Sequence, residues 1–128
     1  MRLLLDTHVF LWWITDDPRL QAATRALIAS PANDLWWSVA SSWEVATKAV
    51  LGRLTLAAPA EVLLPAQRAL HRVHLLAVEE RHVLLSAALP RHHADPFDRL
   101  LVAQARCEQL TLVTYDAAVE AYDVTCLR

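Results

Sequence analysis

Four acidic residues stand at comparable places along the chain: Asp6, Glu44, Asp98 and Asp116. Asp6 ends an apolar run, and Asp116 follows another, Thr111–Thr114, by two residues. Glu44 lies near the start of an expected helix, and Asp98 in the first turn of a further one. Clustered carboxylates repel one another, and their pKa values rise unless a cation compensates. An all-oxygen donor set suits Mg²⁺ or Mn²⁺ rather than Zn²⁺. Such an ion lowers the pKa of a bound water and stabilises charge on a phosphoryl group. The chemistry implied is phosphodiester hydrolysis with no protein nucleophile.

Taken singly, each acid also has a plainer reading. Asp6 and Asp116 could cap the helices that follow them. Asp98 is at N3 of a helix whose cap is Asp95, a favourable place beside the helix dipole. Glu44 has Lys48 four residues on, a common surface ion pair. Asp95 itself precedes Pro96 and reads as a cap or as a residue supporting the acids. Thr7, Ser41 and Thr114 flank the acids and could hydrogen-bond them, or cap helices. Arg99 and Lys48 lie close enough in sequence to touch phosphate, or to be ion-paired.

The elements must bring these residues together. Arg2–Leu5, Leu35–Val39, Val73–Val78 and Thr111–Thr114 read as strands, with Val124–Leu127 a possible edge strand. Helices are expected over Thr7–Ile14, Arg19–Ser30, from Ser41 or Ser42 to about Leu51, Pro59–His71, Glu79–Leu89, Asp95–Gln109 and Ala117–Tyr122. Gly52 stands where a glycine ends a helix. Alternating strands and helices imply an α/β/α fold with a central parallel sheet. In such a sheet, strand C-termini and the following helix N-termini share one edge, where open α/β sheets bind ligands. The four acids all belong to that edge.

Composition narrows the alternatives. The 128 residues suffice for one domain spanning 1–128 and for a core without disulfides. Cys107 and Cys126 are expected to be buried, reduced thiols of a cytoplasmic protein. A net charge of −2 argues against holding nucleic acid by a basic surface alone. The single glycine excludes dinucleotide and P-loop fingerprints. No Gly-x-Ser-x-Gly elbow supports a serine triad. His92–His93 lacks zinc-ligand spacing, and His93 reads better as a loop contact or a helix-start partner. An aspartyl-phosphate phosphatase would need an acid where His8 stands. No run suits a membrane span. Apolar residues make up 55% of the chain, and with five tryptophans they suggest either a well-filled core or a partner interface.

The motifs resemble those of PIN-domain ribonucleases, in the form found in VapC-like toxins of toxin–antitoxin pairs. Leu3-Leu4-Leu5-Asp6-Thr7-His8 resembles the opening strand motif, and Ser38-Val39-Ala40-Ser41-Ser42-Trp43-Glu44-Val45 the second acidic motif. His93-Ala94-Asp95-Pro96-Phe97-Asp98-Arg99-Leu100-Leu101 with Ala103-Gln104-Ala105 is similar to the third, and Thr111-Leu112-Val113-Thr114-Tyr115-Asp116 to the fourth. The resemblance implies Mg²⁺ or Mn²⁺ held by Asp6, Glu44, Asp98 and Asp116, and endonucleolytic cleavage of RNA. It also implies a VapB-like antitoxin whose C-terminal segment crosses an apolar groove and blocks the site. Homodimers follow from it too, with DNA bound only through the antitoxin. Two other readings stand beside the toxin: a housekeeping RNA-processing nuclease, and a non-catalytic PIN-like module, which would lack one or more acids.

Overall fold

Leu3, Leu4 and Leu5 are all fully buried, yet they face opposite ways, because successive side chains of a strand alternate. Leu3 and Leu5 enter one core, with Val9, Phe10, Ile28, Val45 and Leu64. Leu4 enters the other, with Leu101, Val102 and Leu112. Trp37 and Trp36 divide the same way. A strand buried on both faces is the mark of a parallel sheet between two helical layers.

The computed structural model describes residues 1–91, 94–122 and 126–127, the last pair as backbone. The strands are β1 (Arg2–Leu5), β2 (Asp34–Ser38), β3 (Val73–Leu76), β4 (Thr111–Val113) and β5 (Cys126–Leu127). The helices are α1 (Thr7–Ile14), α2 (Ala22–Ala29), α3 (Val39–Val50), α4 (Ala60–Leu70), α5 (Glu80–Ala88) and α6 (Pro96–Glu108). A single 3₁₀ turn, Val119–Ala121, follows β4. The sheet order is β3-β2-β1-β4-β5, and every pairing is parallel.

Strand order places the site. From β1 to β3 the chain steps one way across the sheet, and α1 to α4 supply the core on one face. It then returns past β2 and β1 to β4, with α6 on the other face. Right-handed crossovers require that change of face when the direction reverses. The reversal leaves a crevice between the C-terminal ends of β1 and β4, the strands followed by Asp6 and Asp116.

Several boundaries differ from the sequence reading for local reasons. The second strand ends at Ser38, and α3 begins at Val39. Ser38, not Ser41 or Ser42, caps α3, its Oγ accepting the Ala40 N–H at 3.0 Å. Helix α2 starts at Ala22 rather than Arg19, because Arg19 folds back onto Asp17 and the Gln21 N–H donates to the Tyr115 hydroxyl. The third strand stops at Leu76, so Glu79 is free to cap α5 and share a capping box with His82. Ala117–Tyr122 contracts to the one 3₁₀ turn, and Thr114 lies just beyond β4. Gly52, at φ +72°, follows α3 as expected. Residues 124 and 125 of the expected last strand, with His92 and His93, lie outside the described residues.

The tryptophans divide between core and surface. Trp37 is wholly buried, Trp12, Trp13 and Trp36 are half-buried, and Trp43 is 63% exposed with its ring edge-on to Phe97. Cys107 is a half-buried free thiol.

Candidate active site

Asp6 stands between β1 and α1 with extended backbone, and its side chain makes no capping bond among the described residues. It is 6% exposed. Its Oδ2 accepts the Thr114 hydroxyl at 2.6 Å, while its buried Oδ1 has no hydrogen-bond partner among the described residues. Burial pushes the carboxyl above its ordinary pKa. The Thr114 bond, the charge of His8 and the Thr7 N–H pull it back, and the Glu44 charge adds to the rise. Simple capping therefore does not account for Asp6: a buried acceptor with nothing to accept is costly.

Glu44 is 2% exposed on α3. Its Oε1 accepts the Thr7 hydroxyl at 2.7 Å, and its Oε2 pairs with Lys48 Nζ at 2.6 Å. Thr7 Oγ1 also lies 2.8 Å from Ser41 Oγ. A threonine has one hydroxyl proton, and a carboxylate oxygen accepts; Thr7 therefore donates to Glu44 and accepts a hydrogen bond from the Ser41 hydroxyl. Burial opposes the Lys48 charge, but the Glu44 bond and the charges of Glu44, Asp95 and Asp98 outweigh it and raise the Lys48 pKa.

Asp116 is oriented from both sides. Its Oδ1 accepts the Ala118 N–H at 2.9 Å, and its own N–H donates to Thr114 Oγ1 at 3.1 Å. Thr114 thus links two acids through one hydroxyl. Asp95 caps α6, accepting the Phe97 N–H at 2.8 Å, and Asp98 follows in the first turn. Both face a cleft of 460 Å³ shared with Asp6, Glu44 and Asp116.

All four acids singled out in the sequence therefore line one cleft. Thr7, backed by Ser41, holds Glu44, and Thr114 holds Asp6 and the Asp116 backbone. Lys48 lines it too, but is bound to Glu44. Arg99 has a different role from phosphate contact: its guanidinium donates to the carbonyls of Ser86, Leu89 and Pro90 at 2.8 to 3.0 Å, and to the Tyr122 hydroxyl at 3.2 Å. It ties the end of α5 to α6. Sequence reasoning missed Trp12, Arg19 and Tyr115 as cleft residues, and weighed His8 only against a phosphatase. The spacing of His8 and Trp12, one helical turn apart, was the available signal.

A hard divalent cation fits this donor set: carboxylate oxygens, one of them buried and unpartnered. Among the described residues, no three of these acids bring ligand atoms within 4.8 Å of one another, and Glu44 Oε2 is paired with Lys48. Among the described residues, three potential ligands lie within 4.8 Å of one another elsewhere, at Glu79, His82 and Glu108. There the guanidinium of Arg81 already pairs with both acids, and His82 Nε2 lies 2.9 Å from Glu108 Oε1. That cluster reads as an ion-paired brace between α5 and α6.

Residues 3–124 match the PIN domain family. The chain belongs to the PIN-domain family. A relative of this PIN domain is Ribonuclease VapC22 of Mycobacterium tuberculosis (strain ATCC 25618 / H37Rv), 32% identical over 121 residues, covering 94% of this chain and 91% of that protein. Among solved structures it is similar to VapBC2 from Rickettsia felis, bound to a DNA fragment from the promoter, with TM-score 0.73 at 14% identity over 99% of this chain and 98% of that one. FitAcB from Neisseria gonorrhoeae gives TM-score 0.70 at 20% identity over 98% and 96%. VapBC-1 from nontypeable Haemophilus influenzae gives 0.66 at 19% over 99% and 97%. At these identities the likeness is one of fold. Among the described residues, no helix is long and apolar enough to cross a membrane.

Proposed function

We propose that residues 1–128 act as one PIN domain, a divalent-metal-dependent endoribonuclease that is the toxin of a cytoplasmic toxin–antitoxin pair. The observation that carries this reading is the meeting of Asp6, Glu44, Asp98 and Asp116, from four separate segments, around one cleft at the sheet's switch point. Its relative named as a ribonuclease supports the substrate class.

Asp6, Glu44, Asp98 and Asp116 would hold Mg²⁺ or Mn²⁺. Such an ion, when bound, activates water and neutralises charge on the phosphoryl group. The protein's own contribution is positioning. Thr114 fixes Asp6 Oδ2 and leaves buried Oδ1 without a hydrogen-bond partner among the described residues, so Oδ1 would be available to the ion. Thr7 and Ser41 hold Glu44, and the Ala118 N–H holds Asp116. Lys48 gives buried Glu44 a counter-charge.

A second cleft of 560 Å³, with Leu11, Ile14, Leu54 and Leu56 in its walls, shares His8, Trp12 and Arg19 with the acidic one. An antitoxin segment lying there would reach the acids, as an inhibitory partner must. The complex would contain toxin homodimers and reach DNA through the antitoxin.

The test is direct. Purified protein should cut single-stranded RNA with Mg²⁺ or Mn²⁺ and stop when EDTA is added; cutting that persists in EDTA overturns the assigned chemistry.

A further inference from the structure

The wall beside the acids is aromatic and cationic. Half-buried Trp12 has the Arg19 guanidinium carbon 4.8 Å from its ring centroid. The Tyr115 ring centroid lies 5.5 Å away and that of exposed His8 6.1 Å away. All four line the acidic cleft. Core packing explains part of this, since Trp12 and Tyr115 border the core beneath α1. It does not explain why both rings also line the acidic cleft. Tyr115 is pinned by its hydroxyl, which takes the Gln21 N–H at 2.9 Å and shares a 2.7 Å hydrogen bond with Thr24. The aromatic pair is therefore held rigidly. Arg19, with its side chain 67% exposed, lies over Trp12 and is tethered to Asp17 by bonds of 2.8 and 3.1 Å.

We propose that Trp12, backed by Tyr115 and covered by Arg19, is a stacking site for one unpaired nucleobase beside the scissile phosphate. The inference rests on the ribonuclease reading and names the kind of RNA that fits. A net charge of −2 argues against holding a polyanion by basic side chains alone. Within the cleft, Lys48 is taken by Glu44 and Arg19 by Asp17. Stacking needs no net charge, and every base has a π-face. A duplex keeps those faces against one another, so only a base splayed out of a single strand or loop reaches Trp12. Arg19, exposed over the ring, then shifts to cover the outer face of that base while keeping its pair with Asp17.

Binding tests this in an Asp6→Asn background, which should not cut. The probe is a labelled single-stranded RNA spanning a cut site, followed by fluorescence anisotropy in Mg²⁺. It is compared with the same RNA carrying one abasic nucleotide at each position flanking the cut. One abasic position should weaken binding about tenfold. Trp12→Ala should weaken the intact RNA by a similar factor and the abasic RNA no further, whereas Trp12→Phe should keep most of the affinity. The abasic series needs no change at Trp12, so it decides the matter even if Trp12→Ala fails to fold. Equal binding of every abasic probe, or losses from Trp12→Ala and the abasic position that multiply, overturns the stacking site. The stacking site falls equally if a peptide is the true occupant of Trp12, because RNA binding would then ignore both changes. A native protein that neither binds nor cuts RNA removes the ribonuclease reading itself, and this inference with it.

Discussion

Thr114 donates its hydroxyl to Asp6 at 2.6 Å across a separation of 108 residues, and the same oxygen accepts the Asp116 N–H. One buried side chain thus sets the direction of two acids carried by neighbouring strand ends. Thr114→Val keeps the shape but leaves the Asp6 carboxylate short of a donor, so stability should fall by about 1–3 kcal/mol. Cleavage should slow as well, while Thr114→Ser should retain most of both. Urea unfolding and RNA turnover on the two variants check this.

Asp6→Asn should abolish cleavage in a folded protein, and should also change how stability responds to pH. Burial raises the Asp6 pKa in the native state, so the native protein holds its proton more tightly than the unfolded chain. Stability then falls as pH rises from the unfolded carboxyl value toward the raised native one. Without divalent ions, Asp6→Asn should therefore melt above the native protein at neutral pH, and the difference should vanish in acid. Mg²⁺ should raise the melting temperature of the native protein and not that of the variant; an ion at a hundred times its Kd contributes about 2.7 kcal/mol. A melting series over pH, with and without Mg²⁺, reads both effects.

Lys48→Met removes the counter-charge of buried Glu44. Loss of one partner of a buried pair is strongly destabilising, but Lys48 is one-third exposed and solvent screens it, so about 1 kcal/mol is expected. Saturating Mg²⁺ should shrink that loss, since an ion beside Glu44 replaces the missing charge. Chemical denaturation in Mg²⁺ and in EDTA measures the difference.

Arg99→Lys should destabilise by about 2 kcal/mol, because a lysine cannot span the carbonyls that the guanidinium fork reaches. The KM for RNA should not change. A raised KM with unchanged stability would return Arg99 to phosphate binding.

Expression of the native protein in bacteria should arrest growth, and Asp98→Asn should relieve the arrest. Growth curves after induction report this, with immunoblots to show equal protein levels.

Much of the fold was legible because its signals are local. The apolar run Leu3–Leu5 stops at Asp6, and Asp95-Pro96 announces α6 with the cap and first residue found there. The ends of elements were less legible. Ser38, Ser41 and Ser42 are alike as caps in sequence, and the choice fell to Ser38 because its Oγ meets the Ala40 N–H while Ser41 lies beside Thr7 and Ser42 accepts from Trp37 Nε1. Arg19 read as helix because periodicity does not register the pull of Asp17 two residues back.

The order of residues alone determined which acids stand at strand ends and helix starts, since alternation, capping and chain reversal act over a few neighbours. It also determined the family, through motifs spread over most of the chain. Tertiary structure decided which side chains become partners. Strand order set Thr114 beside Asp6, Thr7 met Glu44 across two helices, and Tyr115 came to back Trp12. Those pairings join residues distant in the chain, and burial gives them their strength, because a polar group taken from water must find its partner inside the fold.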